Sequence, residues 1–197
     1  MPSPRHLGTT VIRLPGERGR LRQMILYVAQ KCETSHYFGA IKLNKIIWKA
    51  DFDSFAARGV PVTGREYRRE KYGPVPKEMV PLHTEMLKQG AVRIVRTEFG
   101  KDETGKPIIE HRTVAQDEPN MSLFTPEDVS FVDKSISHYW EKSGTESSDE
   151  SHGVAWRTRS NGDPMPYELA WLSDQPLGRV QAERLTALIV ERNTNTL

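Results

Sequence analysis

Apolar residues recur at helical spacing along most of this chain, and the breaks between the periodic runs fall at glycine and proline. From Glu17, the residues Leu21, Met24, Ile25, Val28, Ala29 and Cys32 share one face at the 3.6-residue period, while Arg20, Gln23, Gln30 and Lys31 face away. This predicts an amphipathic helix with its cysteine on the buried side, a small core residue rather than a nucleophile. After Gly39 a second helix, Ala40 to Arg58, is apolar on two sides. One stripe holds Leu43, Ile46, Ile47 and Ala50; the other holds Ile41, Trp48, Phe52 and Phe55. Between them run a strip of Lys42, Lys45 and Lys49 and a strip of Asn44, Asp51 and Arg58. Such a helix either lies centrally between packed elements or keeps one stripe for a partner. Both readings stand at this point, with Ile41, Trp48 and Phe52 as the partner-facing candidates.

Gly59-Val60-Pro61 ends that helix. The polar segment that follows leads into Tyr72-Gly73-Pro74-Val75-Pro76, where the prolines are expected to stop regular structure and set up a helix from about Lys77 to Gln89, capped by Gly90. A β-rich run from Ala91 to Phe99, a polar turn and a second run from Ile108 to Val114 predict a hairpin. Thr125-Pro126-Glu127-Asp128 is a helix start, with a capping threonine, proline in the first turn and acids at the positive end of the dipole; the helix should reach about Lys142. Ser143 to Gly153 is a short helix or a loop, and Asn161-Gly162-Asp163-Pro164 a turn. A last helix is expected from about Arg179 to Arg192. The fold class is mainly α (α+β), a compact helical domain over residues 17–193 with a small hairpin at about 91–114, preceded by an arm over residues 1–16.

Composition agrees with a folded protein. Of 197 residues, 37% are hydrophobic and 27% charged, which excludes the disordered and disulfide-scaffold classes. The single Cys32 leaves no internal disulfide, in keeping with a reducing compartment. No apolar run follows Met1-Pro2-Ser3-Pro4-Arg5, and none approaches the roughly 20 residues that span a bilayer, so a cytoplasmic protein without a membrane partner is expected. The net charge of +2 conceals polarity: residues 1–114 hold 21 Lys and Arg against 12 Asp and Glu, and the rest 7 against 14. This suits either an acidic partner for the first part or mutual neutralisation of the two parts.

The search for chemistry returns little. Leu14-Pro15-Gly16-Glu17-Arg18-Gly19-Arg20 lacks the spacing and lysine of a phosphate loop, and neither a nucleophile elbow nor an HExxH pattern occurs. His36, His83, His111, His138 and His152 are scattered, and Asp149, Glu150 and His152 are too close in sequence to form a standard metal site unaided. No catalytic residue, metal or cofactor is expected. The order of three helices and a hairpin also fits a winged helix. On that alternative the Lys77 to Gln89 helix would read DNA with Lys101 and Lys106 on the wing, although Glu78, Glu85 and Pro81 argue against it.

Three pieces of the chain carry a resemblance. Lys42-Leu43-Asn44-Lys45-Ile46-Ile47-Trp48, then Lys71-Tyr72-Gly73-Pro74-Val75, then Ser151-His152 followed by Trp156, resemble the motifs of the Panacea (SocA-like antitoxin) domain. The resemblance implies a mostly helical domain of a toxin–antitoxin system that neutralises a cognate protein toxin by direct contact, and that in some members hands the toxin to an AAA+ protease. It implies no catalytic residues. Physically, Lys71, Tyr72, Gly73, Pro74 and Trp156 read as scaffold, with Tyr72 expected beneath the turn and its hydroxyl hydrogen-bonded. Trp48 and Tyr72 also stand as candidate partner contacts, because large amphipathic rings dominate interface energetics.

Overall fold

The computed structural model describes residues 17–101 and 103–172, together with Leu14. The expected arm, Leu14 apart, and the expected helix from Arg179 to Arg192 lie outside the described residues. Helix α1 (Glu17–Lys31) is followed by α2 (Ala40–Arg58), a strand pair β1 (Tyr67–Glu70) and β2 (Gly73–Pro76), α3 (Met79–Lys88), and the long hairpin β3 (Val92–Lys101) and β4 (Pro107–Ala115). Then come α4 (Pro126–Tyr139), α5 (Gly144–Glu150), α6 (Val154–Arg157) and a 3-10 turn, Tyr167–Trp171. The two antiparallel sheets are separate and two-stranded. This is the α+β, mainly helical architecture that the periodicity predicts.

Helix α2 is the axis. It touches α1, α4, α5, β2, β4 and the 3-10 turn, and its two apolar stripes face two different cores. Leu43, Ile46, Ile47 and Ala50 pack with α1, α4 and the base of the long hairpin. Phe52 and Phe55 pack with Tyr67, Met165, Tyr167 and Leu169, with Trp48 at the edge. The second stripe is thus spent largely inside the molecule, as a central helix requires. Cys32 is 1% exposed, and burial pushes its thiol up to about 12, so it stays protonated.

The start of α4 forms as its sequence dictates. Thr125 Oγ1 accepts from Asp128 N and the Asp128 carboxylate accepts from Thr125 N, a reciprocal cap. The same carboxylate bonds Arg20 of α1 at 3.0 Å and also Arg58 of α2, so one buried acid joins three helices. Burial alone would raise its pKa; the Arg58 and Arg20 guanidinium groups and the Thr125 N–H hold it below the usual carboxylate range.

The β1–β2 pair corrects an expectation. The prolines at 74 and 76 do not stop regular structure. In the register Tyr67↔Pro76, Arg68↔Val75, Arg69↔Pro74 and Glu70↔Gly73, they stand opposite Arg69 and Tyr67. Lys77 N bonds Glu66 O at 2.8 Å, so by alternation the prolines take the positions whose N–H the ladder does not use. The other edge of β1 is taken by the turn at 161–164: Arg69 N bonds Asp163 O, Gly162 N bonds Arg69 O, and Met165 N bonds Tyr67 O.

Candidate functional site

Both lysines of the α2 motif point inward. Lys42 is 0% exposed and donates to Trp140 O (2.6 Å), His36 O (3.0 Å) and Ser35 Oγ (3.2 Å), tying the α1–α2 connection and the end of α4 to α2. Lys45, one turn on, is 1% exposed and donates to Pro74 O at 3.1 Å. Burial lowers its pKa to about 7, because a charged ammonium without a carboxylate partner is costly away from water.

Gly73 is the reason Lys45 can reach β2. It adopts φ +100, and a Cβ there would stand 2.1 Å from Ser151 Oγ and 2.4 Å from Lys45 Nζ. Any side chain would displace both. Ser151 Oγ in turn donates to Ser148 O at 2.6 Å within the end of α5. The next residue, His152, lies 3.4 Å by Nε2 from Ser148 Oγ and stacks on Trp156 with ring centroids 3.7 Å apart. The Arg69 guanidinium lies 3.7 Å from the same Trp156 centroid, so the two groups must take opposite faces of the indole. Trp156 Nε1 donates to Glu70 O at 2.9 Å. The three motif pieces, the first and last more than a hundred residues apart, therefore meet around Lys45 and Gly73.

A second polar anchor sits on the opposite strip of α2. Asp51, 0% exposed, accepts from Thr63 N (2.5 Å), Thr63 Oγ1, Tyr67 Oη (2.7 Å) and Tyr167 Oη (3.4 Å). Burial raises its pKa, against the opposing effect of these donors. It fixes the Pro61–Tyr67 segment, which delivers β1 to the Lys45 centre.

The residues singled out from sequence fall into different surroundings. Pro74 and Gly73 are buried and Trp156 half-buried, each held as described. Tyr72 is 52% exposed at the turn beside the exposed Lys71, so the expectation that it lies beneath the turn is corrected: Gly73 turns the chain inward, leaving the two preceding side chains outside. Phe52 is 5% exposed, edge-on to Tyr67 and against Tyr167. Trp48 and Phe52 line a cavity of about 190 Å³ beside α6, whereas Ile41 lines a different one of about 410 Å³ with Tyr37, Phe99, Ile108 and Ile109. Sequence reading missed the roles of Lys45, Asp51, Ser148 and Ser151. No local signal marked the first two, because a polar strip on a helix reads as solvent-facing.

Chemically, the Lys45 centre holds the fold. Ser148 and Ser151 are 4% and 3% exposed, so a dissolved substrate does not reach their hydroxyls in this conformation. Among the described residues no group of three His, Cys, Asp or Glu side chains is placed to hold a metal ion, and no helix is long and apolar enough to cross a membrane. The exposed surface of α3 is mixed, with Thr84, Glu85, Lys88 and Gln89 beside the apolar Val80 and Leu87, and the β1–β2 pair intervenes in the chain between α2 and α3.

A helix-centred α+β domain built on three convergent motifs is the class of protein defined by this geometry. Residues 43–157 match the family described as antitoxin SocA-like, Panacea domain, and the chain belongs to that family. Neither a curated protein nor a solved structure matches it.

Proposed function

We propose that this protein is an antitoxin that neutralises a cognate protein toxin by direct, stoichiometric contact in the cytoplasm, and that it also serves as an adaptor presenting the bound toxin to an AAA+ protease. The observation that carries the reading is the family match over the segment in which the three motifs converge. The buried members of those motifs are occupied in holding α2, β2 and α5 together. Their outward members are free for a partner. A scaffold of this kind acts by presenting a preformed surface, which needs no chemical step.

Co-expression with the product of the neighbouring gene tests this. Growth should be restored in proportion to the amount of this protein, and the two should co-purify at a fixed ratio. A toxin that stays inactive after brief exposure to trace amounts, once separated, would be inconsistent with stoichiometric inhibition. The adaptor role predicts faster loss of the toxin in cells that contain the protease than in cells that lack it.

A further inference from the structure

The turn between β1 and β2 points Lys71 and Tyr72 outward, beside arginines that hold neighbouring segments without pairing to a carboxylate among the described residues. Tyr72 is 52% exposed, and Lys71 Nζ lies 5.1 Å from its ring. Arg68, on β1, is exposed. Arg69 covers one face of Trp156 and donates to Asn161 Oδ1 at 3.3 Å. Arg159 donates to Pro164 O, Ala155 O and Thr158 Oγ1. Among the described residues, none of these four cations bonds a carboxylate. Elsewhere Arg20, Arg22, Arg58, Lys77 and Arg112 are each paired with one. Two acids stand nearby, each hydrogen-bonded to a neutral donor and still charged: Glu70 Oε2 accepts from Asn161 Nδ2 and Asp163 Oδ2 from Ser160 N.

The platform beneath is tied down at several points. Gly73 is locked against Lys45 and Ser151, Trp156 is tied to Glu70 O, and the 161–164 turn is hydrogen-bonded along β1. A prebuilt surface loses little freedom on association. We propose that the Lys71–Tyr72 turn, flanked by Arg68, Arg69 and Arg159, is the docking surface for an acidic segment of the partner protein, with Tyr72 as the aromatic anchor. The proposal rests on the toxin-binding reading and names the face that does the binding. Charge complementarity selects the partner: four cations outnumber the carboxylates of Glu70 and Asp163 on this face, and an excess of positive charge beside an exposed ring attracts carboxylates and steers encounter. A nucleic-acid strand fits less well, because both faces of Trp156 are already covered and only Tyr72 is left for a base to stack on.

The test uses the full chain and the purified cognate toxin, with affinity measured as salt is raised. Wild type should bind more weakly at high salt. Tyr72→Ala should weaken binding at least tenfold, and the double variant Arg68→Glu, Lys71→Glu should weaken it and flatten the salt dependence, all with wild-type melting temperatures. Val80→Ser with Leu87→Ser, on the surface of α3, should bind as wild type. Tyr72→Ala and the charge-reversed protein binding at wild-type affinity would overturn the docking face and leave the antitoxin reading intact, as would loss of binding in the Val80, Leu87 variant alone. Wild-type protein that does not bind the toxin at all would overturn both. Tight binding of a single-stranded oligonucleotide that is lost on charge reversal and blocks the toxin would assign the face to nucleic acid instead.

Discussion

The two hairpins of this protein are held in opposite ways. The β3–β4 hairpin is long and local: its base is buried at Val92 and Thr113, Arg112 fastens it by donating to the Glu33 and Ser35 carbonyls, and its tip exposes Phe99, Ile108 and Ile109. The β1–β2 pair is only four residues a side, contains two prolines, and is fixed by distant groups: Lys45 to Pro74, Asp51 to Tyr67, Trp156 to Glu70. Strand propensity makes the first and tertiary hydrogen bonding makes the second. A two-stranded ribbon of that length is marginal by itself, so its conformation is set by the polar centre on which it sits.

The largest effect that separates them is expected at glycine. Gly73→Val should place a side chain on Lys45 Nζ and Ser151 Oγ at φ +100, costing about 3 kcal/mol or more through overpacking and strain and leaving little soluble protein. Gly100, at φ +127 near the tip of the long hairpin, has nothing within 4 Å of the position a Cβ would take; Gly100→Ala should cost on the order of 1 kcal/mol, from backbone conformation alone. Thermal melts of the pair check this, and equal losses would abolish the distinction.

Next in size is Asp51→Ala. It leaves Thr63 N–H and the hydroxyls of Thr63, Tyr67 and Tyr167 without their acceptor in a dry interior, an expected loss of about 3 kcal/mol by denaturant titration. A variant that unfolds at the wild-type denaturant concentration would show that β1 is held by apolar packing alone.

A pH dependence should follow from Lys45. Its folded pKa is about 7 against an ordinary 10.5, so between these values the unfolded chain binds more protons than the folded one. Stability from this group therefore rises with pH across that window and is flat outside it. Lys45→Met removes this gain, so the difference in stability, wild type minus variant, should grow as pH is raised from about 7 towards 10. A difference that stays constant with pH would mean that Lys45 keeps its proton in the folded protein.

The smallest effect should come from the tip of the long hairpin. Ile109→Ser, at a side chain 48% exposed, should change stability by about 0.5 kcal/mol or less. A larger drop in melting temperature would mean that the tip is structurally engaged in the way the β1–β2 turn is.

Much of the fold was legible because local and tertiary preferences agree. The 3.6 period of α1, the double stripe of α2, the Thr125 cap of α4 and the β-branched runs of β3 and β4 each specify their own element. The β1–β2 pair was not legible, because Pro74 and Pro76 read as breakers until the register shows that their missing N–H groups face away from the ladder. The site was half legible. The motifs mark the segments that meet, but they predict Tyr72 beneath the turn when it stands outside, and nothing in Lys42 and Lys45 signals that a strip of lysines between two apolar stripes is buried.

The sequence by itself determined the helices α1, α2, α3 and α4 and the long hairpin, and which family motifs the chain carries, since periodicity, caps and turn residues act over a few neighbouring positions. It left α5 open and was silent on α6 and the Tyr167–Trp171 turn. Only the tertiary structure decided where the polar residues of α2 go. A lysine or aspartate on a helix is silent about its surroundings until the segments packed against it offer the carbonyls and hydroxyls that make burial tolerable: Pro74 O for Lys45, Trp140 O for Lys42, and Thr63, Tyr67 and Tyr167 for Asp51.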